Sequence, residues 1–253
     1  MRPYILAETN WDALKTERFE LAILPWGATE AHNYHLPYSA DNIESDFIAA
    51  ESARLAWEKG AKVVVLPTIP YGVNTGQKDV YLDMNITPTT QLAILNDLIQ
   101  VLNHHKIHKF LILNSHGGND FKALVRELGL RFPEMLISFA NWYQALDRNQ
   151  YFENPGDHAE EMETSLMLYL RPDLVLSFEK WGDGKTKKNK IKEFSEGWAW
   201  MERKWSQITE DTGVGNPKLA SHEKGERFFR DLTEKISDLL IALCNADPGN
   251  MYE

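Results

Sequence analysis

Cysteine is almost missing from this chain. Cys244 stands alone among 253 residues, so no disulfide can close within it, and loops must be held by packing or by a bound ion. Long apolar runs are missing too: nothing approaches the roughly 20 residues that a membrane-spanning helix needs. Cationic excess is absent, with a formal charge of -10, which argues against a nucleic-acid partner, since that usually demands a basic face. The opening residues, Met1 to Glu8, are too polar and too short in apolar length for a signal peptide; the expected location is the cytoplasm. No repeat or internal boundary is visible, so residues 1–253 read as a single domain large enough for a sizeable core.

What the chain does have is chemistry crowded into short stretches. In Leu24-Pro25-Trp26-Gly27-Ala28-Thr29-Glu30-Ala31-His32-Asn33-Tyr34-His35-Leu36-Pro37, Glu30 and His32 are two apart, and Asp41 follows a turn. Extended backbone puts alternate side chains on one face, so Glu30 and His32 share a side to which Asp41 can return. Carboxylates mixed with imidazole suit Zn, Mn or Fe better than Ca or Mg. A buried run, Lys109 to Leu113, then ends in Asn114-Ser115-His116-Gly117-Gly118-Asn119. That places His116 at a strand's carboxyl end, where open α/β sheets bind ligands. Gly117 and Gly118 let backbone approach a metal or substrate closely. A third cluster, Asp157-His158-Ala159-Glu160-Glu161-Met162-Glu163, opens an apolar helix. Helix capping accounts for one or two of its acids, but a surplus of carboxylates beside an imidazole suits proton transfer at an activated water.

Strand and helix alternate along the chain. Residues 21–24, 61–66, 109–113 and 135–140 read as strands; 43–59, 88–105, 119–131 and the segment after His158 read as helices. The predicted fold is α/β, a three-layer α/β/α sandwich with a mainly parallel sheet.

These elements resemble the creatininase (creatinine amidohydrolase) family. Its opening pattern P-x-G-S-x-E-Q-H-G-P-H-L-P then T-D is met by Pro25 to Pro37 and Ala40-Asp41. N-G-H-G-G-N is met by Asn114 to Asn119, H-A-G-E-x-E-T-S by His158 to Ser165, and the tail G-x-x-G-D-P-x-x-A-x-x-E-K-G by Gly213 to Gly225. The resemblance implies a metal core of Glu30, His32, Asp41 and His116, with Asp41 bridging if two ions bind. It implies one or two divalent ions per subunit, Zn first, with Mn or Fe as alternatives. Where creatininase has a metal-binding glutamate this chain has Gly118, so Glu163, backed by Glu161, is the expected replacement ligand and also a catalytic group. His158 is expected to handle protons at the leaving nitrogen. The loop tryptophan of creatininase has no counterpart in Asn154-Pro155-Gly156, which argues against creatinine itself.

The expected function is therefore hydrolysis of a non-peptide or cyclic C–N amide bond in a small molecule, such as a lactam or formamide. The alternatives are a peptidase acting on a small modified peptide and a non-catalytic metal- or ligand-binding protein. A homo-oligomer, in the family often a hexamer, is implied, with the tryptophan-rich segment from Phe194 to Trp205 as interface or site cover. Trp142, just beyond a strand end, is expected to contact substrate together with Gly117. The lysines between Gly182 and Lys192 read as a solvated loop, and His104, His105 and His108 as a helix end suited to imidazole. His35 is read either as a loop-orienting residue or as a ligand.

Overall fold

The computed structural model describes residues 2–154 and 156–252. Its sheet has four strands, β1 Leu21–Trp26, β2 Val63–Val65, β3 Lys109–Asn114 and β4 Leu136–Asn141. They lie in the order β2-β1-β3-β4, and every pair is parallel. Five long helices flank them: α1 Ala40–Glu58, α2 Pro88–His104, α3 Phe121–Arg131, α4 Glu161–Leu170 and α5 His222–Asn245.

The pleat sorts the strand residues into two cores. Leu21, Ile23, Val63, Val65, Leu111 and Leu113 face α1, α4 and α5, packing with Ile48, Leu166, Phe228, Leu232 and Ile236. Ala22, Leu24, Trp26, Phe110 and Ile112 point the other way, onto Leu95 and Ile99 of α2 and onto Phe121 and Leu128 of α3. Strands buried on both faces need continuous apolar runs, which is why they lack polar alternation. The result is the three-layer α/β/α sandwich expected from the order of elements. Among the described residues no helix is long and apolar enough to cross a membrane.

Local chemistry sets the helix starts. Thr87 caps α2 with Pro88 in its first turn, and Asp120 and Ser221 cap α3 and α5 through their side-chain oxygens. Gly225 of the tail element lets α5 cross α4 closely, because a Cβ there would lie 2.0 Å from the Ser165 carbonyl oxygen. Pro25 sits inside a central strand, a position normally denied to proline. It is tolerated because regular pairing with β2 stops at Val65 and resumes only in the isolated bridge of Trp26 with Ile69, so no ladder bond on that side needs the missing N–H. Trp26, Asn114 and Asn141 are register partners, so β1, β3 and β4 end level and their following loops meet above one edge.

Candidate metal centre

Above that edge the three sequence clusters meet. Asn33, in the left-handed region at φ 53, turns the chain after His32; asparagine tolerates that conformation better than most residues. Asp41 returns in the first turn of α1, where the helix dipole favours a carboxylate. Its two oxygens face two histidines: Oδ1 lies 3.1 Å from His32 Nε2, and Oδ2 lies 3.1 Å from His116 Nδ1. Glu30 Oε1 is 3.0 Å from the same His116 nitrogen and 3.6 Å from His158 Nδ1. All five side chains are buried.

The far nitrogens of the histidines decide what this arrangement is suited to hold. His32 Nδ1 lies 3.0 Å from the Glu30 carbonyl oxygen, His116 Nε2 3.2 Å from that of Val73, and His158 Nε2 2.9 Å from that of Ala31. A carbonyl oxygen only accepts, so these nitrogens carry the protons and the opposite ones face carboxylates. In neutral rings those are lone pairs aimed at negative oxygens, a repulsive geometry unless a proton or a cation stands between. Burial opposes charge on His32, yet Asp41 outweighs it and carries the imidazole up to about 10. Burial is likewise overcome at His116 by Glu30 and Asp41, which hold it well above its ordinary value. The histidines in turn hold Asp41 and Glu30 low against the opposing effect of burial. A divalent cation meets the same demand, and an imidazole fixed through its far N–H is the usual posture of a metal ligand. Donor atoms lie within 4.8 Å of one another in three overlapping sets: Glu30 with Asp41 and His116, His32 with Asp41 and Glu163, and Glu30 with His32 and His158. Asp41 is common to the first two, as a carboxylate shared by two ions would be.

The surplus acids of the third cluster sort themselves by partner. Glu163, in the first turn of α4, accepts the Ala159 N–H and joins His32 and Asp41. Glu161 turns away, paired with Lys224 at 2.5 Å and accepting the N–H groups of Glu153 and Asn154. Glu160 caps α4 at Met162 N–H, and burial followed by the Glu163 charge pushes its carboxyl up to about 8. Gly118 has no room for the family glutamate: a Cβ there would sit 2.3 Å from the Val73 carbonyl oxygen and 2.4 Å from His116 Nε2. Glu163→Gln keeps size and removes charge, so metal content and activity are expected to fall together, while Glu161→Gln keeps its metal. Elemental analysis of both variants checks this, and the opposite pattern transfers the ligand role to Glu161.

A cavity of about 480 Å³ opens onto His116 between the strand-end loops. Gly117 lines it, and a Cβ there would meet open space. Trp142 does not. Expected at the substrate, it is 1% exposed in the core, with its indole N–H donated to Ser115 Oγ at 2.7 Å. A 3-10 turn begins at Trp142 and breaks the strand's alternation, so the next residue, Tyr143, forms the wall instead.

Sequence reasoning missed Gln77, whose amide donates to the second oxygen of Glu30; Trp205, at the end of the segment expected as interface or site cover, sets its ring edge-on to His158 at 4.9 Å. Glu44, one turn along α1 from Asp41, was missed as well: burial, then the Glu163 and Asp41 charges, push its carboxyl well above the usual range. His35 hydrogen-bonds Thr164 Oγ1 at 2.9 Å and stacks on Trp181, and burial takes it down to about 4. Pro155, in the segment lacking the loop tryptophan, lies outside the described residues.

The sequence pattern of the creatininase family, described as creatinine amidohydrolase, matches residues 7–240. The chain belongs to the creatininase family. A Bacteroides fragilis NCTC 9343 protein, provisionally named a creatinine amidohydrolase, is 39% identical and superposes over 100% of both chains with a TM-score of 0.93. Mycofactocin precursor peptide peptidase of Mycobacterium tuberculosis (strain CDC 1551 / Oshkosh) is 28% identical over 84% of this chain and 81% of its own. Creatinine amidohydrolase of Pseudomonas putida is 28% identical over 60% of this chain and 65% of its own. As a creatininase-family member the chain is a metal-dependent hydrolase of C–N bonds, and its buried Glu, His and Asp side chains form a pocket fit for a divalent ion.

Proposed function

We propose that this protein hydrolyses a small non-peptide or cyclic amide, and that Glu30, His32, Asp41, His116 and Glu163 hold one or two divalent ions. The observation that carries this reading is the posture of the three histidines, each fixed by a backbone carbonyl and each turning its other nitrogen on a carboxylate. Imidazole and carboxylate together suit Zn, with Mn or Fe as alternatives. A cation bound there supplies Lewis acidity, polarising the amide carbonyl and lowering the pKa of water. The chain's own groups do the rest. Hydrolysis adds hydroxyl to the carbonyl carbon and a proton to nitrogen, and His158 with Glu163 moves that proton. Gly117 leaves room for the substrate beside His116, and Trp205 keeps bulk water from His158.

Turnover on a panel of lactams, formamides and dipeptides after reconstitution with zinc or manganese tests the reading. Full metal content with no turnover would leave a metal-binding protein without catalysis. Cleavage of a small modified peptide is the second reading, favoured by the exposed Trp200 and Met201 on the cavity wall, which extend an apolar contact beyond the site.

We further propose a single catalytic domain that works in the cytoplasm as a homo-oligomer, with a hexamer as the expected size. Exposed Trp198 and Trp200 in the tryptophan-rich segment from Phe194 to Trp205 support an interface there, since exposed aromatics commonly mark one. Light scattering is expected to give a multiple of the chain mass; a monomer at working concentration would refute the assembly.

A further inference from the structure

Tyr143 stands where β4 ends, on the cavity wall with His116 and Trp205. Its ring is set edge-on against Trp142, with centroids 5.8 Å apart at 79°, and Trp142 is itself tied to Ser115. The ring is therefore held on a fixed support. Its hydroxyl is different: among the described residues it has no hydrogen-bond partner. Tyrosines with structural roles in this protein anchor theirs, as Tyr151 does on Asp231 at 2.9 Å and Tyr38 on the Tyr81 carbonyl at 2.7 Å.

Four side-chain amides on the wall are already committed. The side-chain amide of Asn74 donates to the Met84 carbonyl, that of Gln77 to Glu30, that of Asn119 to Asn114 and that of Asn141 to Gln144. The centre beneath consists of acceptors. A small amide entering the cavity presents a carbonyl oxygen that gains negative charge as the carbon is attacked, and such an oxygen needs a donor already in place.

We propose that Tyr143 is the substrate-orienting donor of this centre, its phenolic O–H bonding the carbonyl oxygen of the bound amide. The inference rests on the hydrolase reading above. Burial, then the Asp41, Asp157 and Glu163 charges, push the phenol above its ordinary value, so it keeps its proton.

Two zinc-binding probes separate the possibilities. Acetohydroxamate carries a carbonyl oxygen to the metal, whereas ethanethiol binds zinc through sulfur and offers no oxygen acceptor. In zinc-reconstituted Tyr143→Phe, acetohydroxamate is expected to bind about three- to tenfold more weakly, the effect of one lost hydrogen bond. Ethanethiol binding and zinc content should match wild type. For the best amide of the panel, kcat is expected to fall about 10²-fold with a smaller change in KM. Unchanged acetohydroxamate binding overturns the proposal and leaves the hydrolase reading intact. Equal weakening of both probes shows that the ring only supports structure, and also overturns it. A zinc-loaded wild type that does not bind acetohydroxamate overturns the hydrolase reading and this role together.

Discussion

Asp41→Asn is expected to strip the centre of metal and bring hydrolysis to background. Losing a partner that merely orients a ligand lowers metal affinity about 10- to 100-fold. Asp41 faces both His32 and His116 and is common to two of the three donor sets, so its loss should exceed the top of that range. Asparagine keeps the shape but presents an N–H₂ to one histidine, and no charge to either. Dialysis against a weak chelator followed by elemental analysis gives the result directly. A variant that holds the wild-type complement through dialysis would show that the ions, if bound, do not share this carboxylate.

His158→Ala is expected to do the reverse, losing turnover while keeping metal. Its Nδ1 stands 3.6 Å from Glu30 Oε1, farther than the 3.0 and 3.1 Å contacts of His116 and His32. Its ring lies 4.2 Å from that of His32, and Trp205 covers its edge. Removing a general acid-base typically lowers kcat by about two to four orders of magnitude. Steady-state kinetics and metal content, measured on the same preparation, read both halves. If zinc leaves with the imidazole, His158 is a ligand, as its set with Glu30 and His32 would then mean.

The sandwich and the metal cluster were legible in the sequence because their signals are local. Short apolar runs stopped by proline or by asparagine mark the strands, and Glu30, His32 and Asp41 lie within one loop and one helix turn. The longest helix, α5, goes unread in the sequence expectations although Phe228, Leu232, Ile236 and Leu240 recur at helical spacing and are buried. The choice among Glu160, Glu161 and Glu163 needed Lys224, a partner from a distant helix that no local spacing could announce. Trp142 and Tyr143 exchanged roles because a 3-10 turn rotates the chain after β4, and residue alternation carries no information past that point. Gln77 lacked any charge or motif; only its contact with Glu30 shows its part.

The close fit at Gly118 limits where this centre can carry a carboxylate. With the Val73 carbonyl and the His116 ring both lying where a side chain would begin, a glutamate there and the backbone anchor of His116 exclude one another. A side chain directly after Gly117 would therefore need the Val73 carbonyl to move. The shape of the loop around Val73, more than the identity of the residue that follows Gly117, sets whether an acid can stand there.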